Sequence, residues 1–189
     1  MCGRFQFSAE ESEEIRKIIE EVQQNLKAEV RTGEIFPTNL SPILGWENGK
    51  QKPHLYKWGF PKFRGSGVII NARAETILEK PMFRKSMEER RCIVPSSGFF
   101  EWSQDEKKQK YLFRRPGETE LYLAGIYNTF QGTPCFVILT TAANKSVADV
   151  HSRMPVIVPK DGLQSWTADF GAAMQIANGR QPALYKKTV

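Results

Sequence analysis

Cys2 directly follows the initiator position and has Gly3 as its other neighbour. Once Met1 is removed, Cys2 is the N-terminal residue and carries a thiol and an α-amine on adjacent carbons. An α-amine titrates near about 7.7–8.0, against about 10.4 for a lysine, so roughly a tenth of it is neutral at neutral pH. A neutral amine condenses with an aldehyde to an imine. The neighbouring thiol, already held beside the imine carbon, then adds to that carbon and closes a thiazolidine ring at high effective molarity. A lysine imine has no such second bond and hydrolyses. This chemistry requires an exposed residue 2 and the loss of Met1. The alternative is an ordinary small apolar residue near a chain end.

Three other places hold polar groups that fit the same chemistry. In Asn71-Ala72-Arg73-Ala74-Glu75-Thr76 the odd positions share one face of a strand. Asn71 can orient a polar group there, Arg73 can bind a phosphate through its two-pronged guanidinium, and Glu75 can hold Arg73. The alternative is a structural ion pair at a strand end. Glu101 lies in Gly98-Phe99-Phe100-Glu101-Trp102, where partial desolvation would raise a carboxyl pKa and suit general acid–base work. The alternative is a strand glutamate facing solvent. His151 precedes Arg153 and Pro155, and Pro155 disfavours helix at Met154, which leaves His151 and Arg153 on a loop. His54, between Pro53 and Leu55, reads as a surface residue.

The run Trp58-Gly59-Phe60-Pro61-Lys62-Phe63-Arg64 interleaves rings with basic side chains. Rings can stack on exposed bases while Lys and Arg meet phosphates. Phe63 fits that role better than Trp58 or Phe60, which read as core plugs. The 189 residues carry 27 Lys and Arg against 21 Asp and Glu, a formal net charge of +6. That balance permits a polyanionic partner and argues against a role that needs an acidic surface. Cys2, Cys92 and Cys135 are too few for a disulfide framework, and neither they nor the two histidines show metal-ligand spacing. Neither a metal nor a cofactor is expected. The chain has no apolar run of membrane-spanning length and no signal-peptide pattern, so the expectation is a cytoplasmic protein without a membrane partner.

These groups need elements to position them. Ser8 with Glu11 fits a capping box and predicts a helix from there, with Ile15, Ile18, Ile19, Val22 and Leu26 on one stripe. Strand signals follow at 41–44, 55–58, 68–73, 92–94, 98–102, 110–114, 121–126, 135–140, 155–158 and 183–185. A polar turn at Gly49 joins the first two. A short helix is predicted over 81–91, one or two helical turns over 144–150, and a last helix capped by Asp161 and carrying Leu163 and Trp166. Strands outnumber helices and do not alternate with them. The expected fold class is therefore α+β: a mostly antiparallel, curved or barrel-like sheet with a few flanking helices, as one domain over 1–189. The end at Val189, just after a strand, predicts a native C-terminal tail beyond it.

In order along the chain, Met1-Cys2-Gly3-Arg4-Phe5, Thr38-Asn39-Leu40-Ser41-Pro42, Trp58-Gly59, Asn71 to Thr76, Gly98 to Trp102 and Val150-His151-Ser152-Arg153-Met154-Pro155 resemble the SOS-response-associated peptidase (SRAP) family of abasic-site processing proteins. The resemblance implies self-removal of Met1. It also implies a covalent thiazolidine link from Cys2 to the ring-opened aldehyde of an abasic site in single-stranded DNA, with lyase-like imine chemistry. It assigns Cys2 as nucleophile, Asn71 to the Cys2 amine or sugar oxygen, Glu101 as general acid–base and His151 as proton shuttle. Arg4, Arg73 and Arg153 would bind flanking phosphates, and Asn39, Pro42 and Thr140 would line the site. Two departures stand out. Phe63-Arg64 occupies the place of a tandem Trp common in the family, and Pro81 replaces a phosphate-binding Arg, whose role Arg84 or Lys85 would take. Two other functions fit the same residues: a conventional Cys–His peptidase using Cys2 and His151, and a non-covalent single-strand binding module.

Overall fold

The computed structural model describes residues 2–189. Its elements are β1 (Phe5–Phe7), α1 (Glu13–Leu26), β2 (Gly33–Ile35), β3 (Leu40–Glu47), β4 (Lys50–Trp58), β5 (Phe60–Pro61), β6 (Val68–Ile69) and β7 (Asn71–Arg73). They continue with α2 (Pro81–Glu89), β8 (Arg91–Ser96), β9 (Gly98–Trp102), β10 (Lys110–Arg114), β11 (Leu121–Phe130), β12 (Thr133–Ala142), β13 (Arg153–Pro155), α3 (Leu163–Ala168), α4 (Phe170–Asn178) and β14 (Tyr185–Thr188). This is the expected α+β class.

Strands β11, β8, β3, β4 and β12 pair in that order, and β11 pairs back to β12, which closes a five-stranded barrel. The β3–β4 hairpin turns at Asn48 and Gly49, both at positive φ (50° and 79°), a turn whose twist matches that of the flanking strands. β12 is the hub. Parallel to it run first β4, with Phe136 opposite Trp58, and then β7, with Ile138, Leu139 and Thr140 opposite Asn71, Ala72 and Arg73. Between those two, residues 59–70 leave the barrel as the β5–β6 hairpin that carries Phe63. The excursion is pinned where it leaves, by Gly59 N–H to the Phe136 carbonyl (2.8 Å), and where it returns, by Trp58 Nε1 to the Ile70 carbonyl (3.0 Å). Gly59 sits at φ 116°, and a Cβ there would lie 2.8 Å from Val68 Cβ, so only glycine fits.

The second sheet, β14-β10-β9-β1-β2, is antiparallel and puts β1 between β9 and β2. Phe5 of β1 meets Trp58 of the barrel at 5.1 Å between ring centroids, and both are fully buried. Burying such side chains contributes about 1.5–3 kcal/mol each. The contact docks the N-terminal strand onto the barrel.

Several sequence expectations are corrected. α1 starts after Ser12, not Ser8: the Ser12 hydroxyl accepts the Ile15 N–H at 3.1 Å and donates to Glu120 at 2.6 Å. Leu26 of the apolar stripe is exposed. The strand expected over 68–73 breaks at Ile70 into β6 and β7, and Glu75 falls in a short 3-10 turn, so Asn71 and Arg73 share a strand face but Glu75 does not join them. Asp161 caps no helix: α3, which carries Leu163 and Trp166, has Gly162 at its N-cap and no side-chain cap, and Asp169 caps the following helix, α4, by accepting the Ala172 N–H. His54 is half-buried against Tyr56 and 3.4 Å from Glu47.

Candidate functional site

Cys2 lies where the two sheets meet. The Arg4 carbonyl accepts the Phe100 N–H at 2.9 Å, so residues 2–4 run beside β9 past Glu101. The Asn71 side-chain amide, at the start of β7, donates to the Cys2 carbonyl at 3.0 Å. On β9, Phe99 and Glu101 share the inward face, and Phe100 and Trp102 point the other way. Glu101 is 3% exposed. Alternation on β7 likewise buries Ala72 and leaves Asn71 and Arg73 on the opposite face.

The exposure expected of residue 2 is not found: Cys2 is fully buried. In this chain its nitrogen is an uncharged amide, which costs far less to bury than an ammonium group. Burial pushes the thiol pKa well above its ordinary range, and the nearby Glu101 carboxylate pushes it further, against a weaker opposing effect of the Arg4 backbone. The thiol is therefore protonated and lies 3.8 Å from that carbonyl.

His151 stands half-buried in the loop before β13. Its Nδ1 accepts the Arg153 backbone N–H at 2.9 Å, so a neutral ring carries its proton on Nε2. The Arg153 guanidinium grips Glu75 through both carboxylate oxygens (2.8 and 2.9 Å) and also donates to the Thr140 carbonyl (2.7 Å). This ion pair holds the Glu75 carboxyl down at about 2. Glu75 therefore partners Arg153 and not Arg73, as residue spacing alone would suggest. Arg73 is exposed.

The remaining residues differ in kind. Arg4 is sandwiched between Phe36 (4.2 Å) and Trp102 (4.8 Å) and bonds Glu34 at 3.3 Å; Lys110 pairs with the same Glu34. This cluster anchors the segment that carries Cys2. Of its members, sequence reading singled out Arg4 and missed Glu34, Phe36 and Lys110; the ring-rich run around Trp102 was the available signal. The Asn39 carboxamide accepts the Phe36 N–H at 3.0 Å within a turn. Pro42 is buried opposite Leu55 in the barrel, and Thr140 is fully buried beneath Arg153. Phe63, by contrast, is 89% exposed at the hairpin tip. It borders a cavity of about 600 Å³ with Lys57, Lys62 and Met82. Met82 also lines a neighbouring cavity of about 320 Å³, together with Asn71, Arg73 and Lys80. Lys80 thus reaches the groove, a basic residue that sequence reading passed over in favour of Arg84 and Lys85. Arg84 turns back to the Leu78 carbonyl at 2.5 Å.

Three buried polar atoms of this region, Arg4 Nε, Asn71 Oδ1 and Arg153 Nε, make no hydrogen bond among the described residues, where buried polar groups are normally satisfied. Among the described residues no group of three His, Cys, Asp or Glu side chains could hold a metal ion. No helix is long and apolar enough to cross a membrane.

Comparison with known proteins finds relatives along most of the chain. The chain is 36% identical over 184 residues to the abasic site processing protein YoqW of Bacillus subtilis, covering 88% of this chain and 80% of that one. It is 27% identical over 177 residues to the abasic site processing protein YedK of Escherichia coli, covering 88% and 79%. A crystal structure of a Bacteroides thetaiotaomicron protein superposes with a TM-score of 0.70 at 25% identity, over 83% of this chain and 77% of that one. A Bordetella bronchiseptica protein shares the fold with a TM-score of 0.78 at 19% identity, over 100% and 99%. A profile described as SOS response associated peptidase (SRAP) matches residues 1–183, and the chain belongs to that family.

Proposed function

We propose that this chain, once freed of Met1, captures the ring-opened aldehyde of an abasic site in single-stranded DNA as a thiazolidine on Cys2. The observation that carries the reading is the placement of Cys2: its carbonyl is held by Asn71 at 3.0 Å, and the buried Glu101 lies close enough to raise its thiol pKa. The relatives' names supply the substrate class.

Two steps follow. Hydrolysis of the Met1–Cys2 peptide bond consumes one water and releases methionine, leaving a free amine at residue 2. That amine adds to the aldehyde carbon and expels one water to give an imine. The Cys2 sulfur then bonds to the imine carbon, and the thiol proton ends on the nitrogen. Glu101 moves protons in ring opening and imine formation. The unsatisfied Asn71 Oδ1 accepts an N–H of the new amine. His151 serves the sugar hydroxyl or phosphate side through its Nε2–H. Arg73, Lys80 and Phe63 contact the strand along the groove, the cations at phosphates and the ring at a base.

The order of events puts the amine first: the neutral amine attacks the aldehyde, and the thiol closes the ring on the imine already formed.

The test uses chain shown by intact mass to lack Met1, mixed with a single-stranded oligonucleotide bearing one abasic site. The expected result is a retarded band on a denaturing gel that Cys2→Ala abolishes. An undiminished band with Cys2→Ala ends the proposal. Equal, salt-sensitive binding of intact and abasic strands with no covalent band points instead to non-covalent binding.

A further inference from the structure

Glu75 accepts hydrogen bonds from four directions. Arg153 Nη1 and Nη2 reach it at 2.8 and 2.9 Å, the Thr141 hydroxyl at 3.2 Å and the Ala142 N–H at 3.2 Å. Thr141 and Ala142 end β12, and Arg153 begins β13 opposite Ala142. One carboxylate, from the turn after β7, therefore clips the two strand ends between which residues 143–152 loop out. The base of that loop is closed by Ala143 N–H to the Ser152 carbonyl at 3.0 Å.

His151 sits inside the clipped loop, and the backbone N–H of Arg153 is what its Nδ1 accepts, at 2.9 Å. The position and direction of that N–H follow from where Arg153 is held. Arg153 is fixed by Glu75 and by the Thr140 carbonyl at 2.7 Å. The chain of contacts runs from Glu75 through the Arg153 side chain to the Arg153 backbone and on to the imidazole.

We infer that Glu75 is a positioning residue for His151: by clamping Arg153 it fixes the imidazole as the Nε2–H tautomer and sets the direction in which that N–H points. The inference rests on the role given to His151 in the proposed function. The Thr140 carbonyl and Glu75 together occupy Arg153 Nη2, so the guanidinium is a structural clamp before it is a phosphate ligand. Arg73, exposed on the same face as Asn71, is the freer cation.

The experiment reads the imidazole nitrogen resonances by NMR in DNA-free chain lacking Met1, for wild type and Glu75→Gln, with His54 assigned by its own replacement. Wild type is expected to show His151 as one tautomer with Nδ1 unprotonated. Glu75→Gln is expected to show a second, Nδ1–H population. At saturating abasic strand its crosslinking rate should fall about tenfold or more, toward the hundredfold that about 1 Å of misplacement can cost. Its affinity for an intact strand should be unchanged.

An unaltered His151 spectrum with an unaltered saturated rate overturns the inference. So does weaker strand affinity with an unaltered tautomer, which would make Glu75 an indirect phosphate determinant. Failure of wild type to crosslink defeats the functional reading and leaves the tautomer result standing. Should Glu75→Gln not fold, Arg153→Lys keeps the charge, loses the two-pronged geometry and carries the same readouts.

Discussion

Asn71 donates its side-chain amide to the Cys2 carbonyl across 69 residues of chain, at 3.0 Å. The bond ties the reactive end of the molecule to β7 at the point where β7 joins the barrel alongside β12, with Asn71 opposite Ile138. The N-terminal segment is thus held at both ends, by Asn71 at residue 2 and by the Glu34, Phe36 and Trp102 cluster at residue 4.

Removing that tie should loosen the site more than the fold. Asn71→Ala is expected to cost about 0.5–1.5 kcal/mol in urea unfolding, the net worth of one hydrogen bond. The crosslinking rate should fall by more than this loss of stability explains. A rate equal to wild type would remove Asn71 from the site.

Burial of the thiols predicts their reactivity. Cys2 and Cys92 are fully buried and Cys135 is 4% exposed, and burial raises the pKa of each. Native chain that retains Met1 should resist iodoacetamide at neutral pH at all three positions. Rapid labelling of Cys2 before processing would contradict the closed site, with the modified peptide identified by mass spectrometry.

Phe63 tests the groove. A side chain 89% exposed contributes little to folding, so Phe63→Ala should leave unfolding within about 0.5 kcal/mol of wild type. Binding of single strands should weaken by about 1–3 kcal/mol, the worth of one stacked base. Unchanged binding would place the strand elsewhere.

The Glu75–Arg153 pair predicts a pH window. Glu75 titrates at about 2 in the folded chain, against an ordinary 4.5. A depressed carboxyl pKa stabilises the fold above the unfolded value, and that stabilisation is lost as pH falls through the folded one. Wild type should exceed Glu75→Gln in stability at neutral pH, and the gap should close between about 4.5 and about 2. Because the Glu75 side chain is 43% exposed, solvent screens the pair and salt should narrow the gap. A gap that persists at the acid end would show that the loss is packing and not charge.

The helix start is a plain stability test. Ser12→Ala removes the observed cap and should cost about 0.5–2 kcal/mol, whereas Ser8→Ala should change unfolding little. The reverse order would put the start of α1 back at Ser8.

Residue order by itself determined what short-range physics governs. Alternation and turn residues marked β9 and β10 to their observed ends, 98–102 and 110–114, and helical spacing marked the buried face of α1. The aminothiol latent in Cys2 needs only its position after Met1. Tertiary structure decided whatever depends on which distant groups meet. The capping-box pattern at Ser8 lost to Ser12, which also reaches Glu120, 108 residues away. Spacing offered Arg73 to Glu75, but the backbone turns at residue 74 and presents Glu75 to Arg153, 78 residues on. Burial of Cys2 was likewise not legible, because desolvation is set by everything packed around a residue and not by its neighbours in the chain. Charge partners and burial are long-range quantities; periodicity and covalent chemistry are local ones.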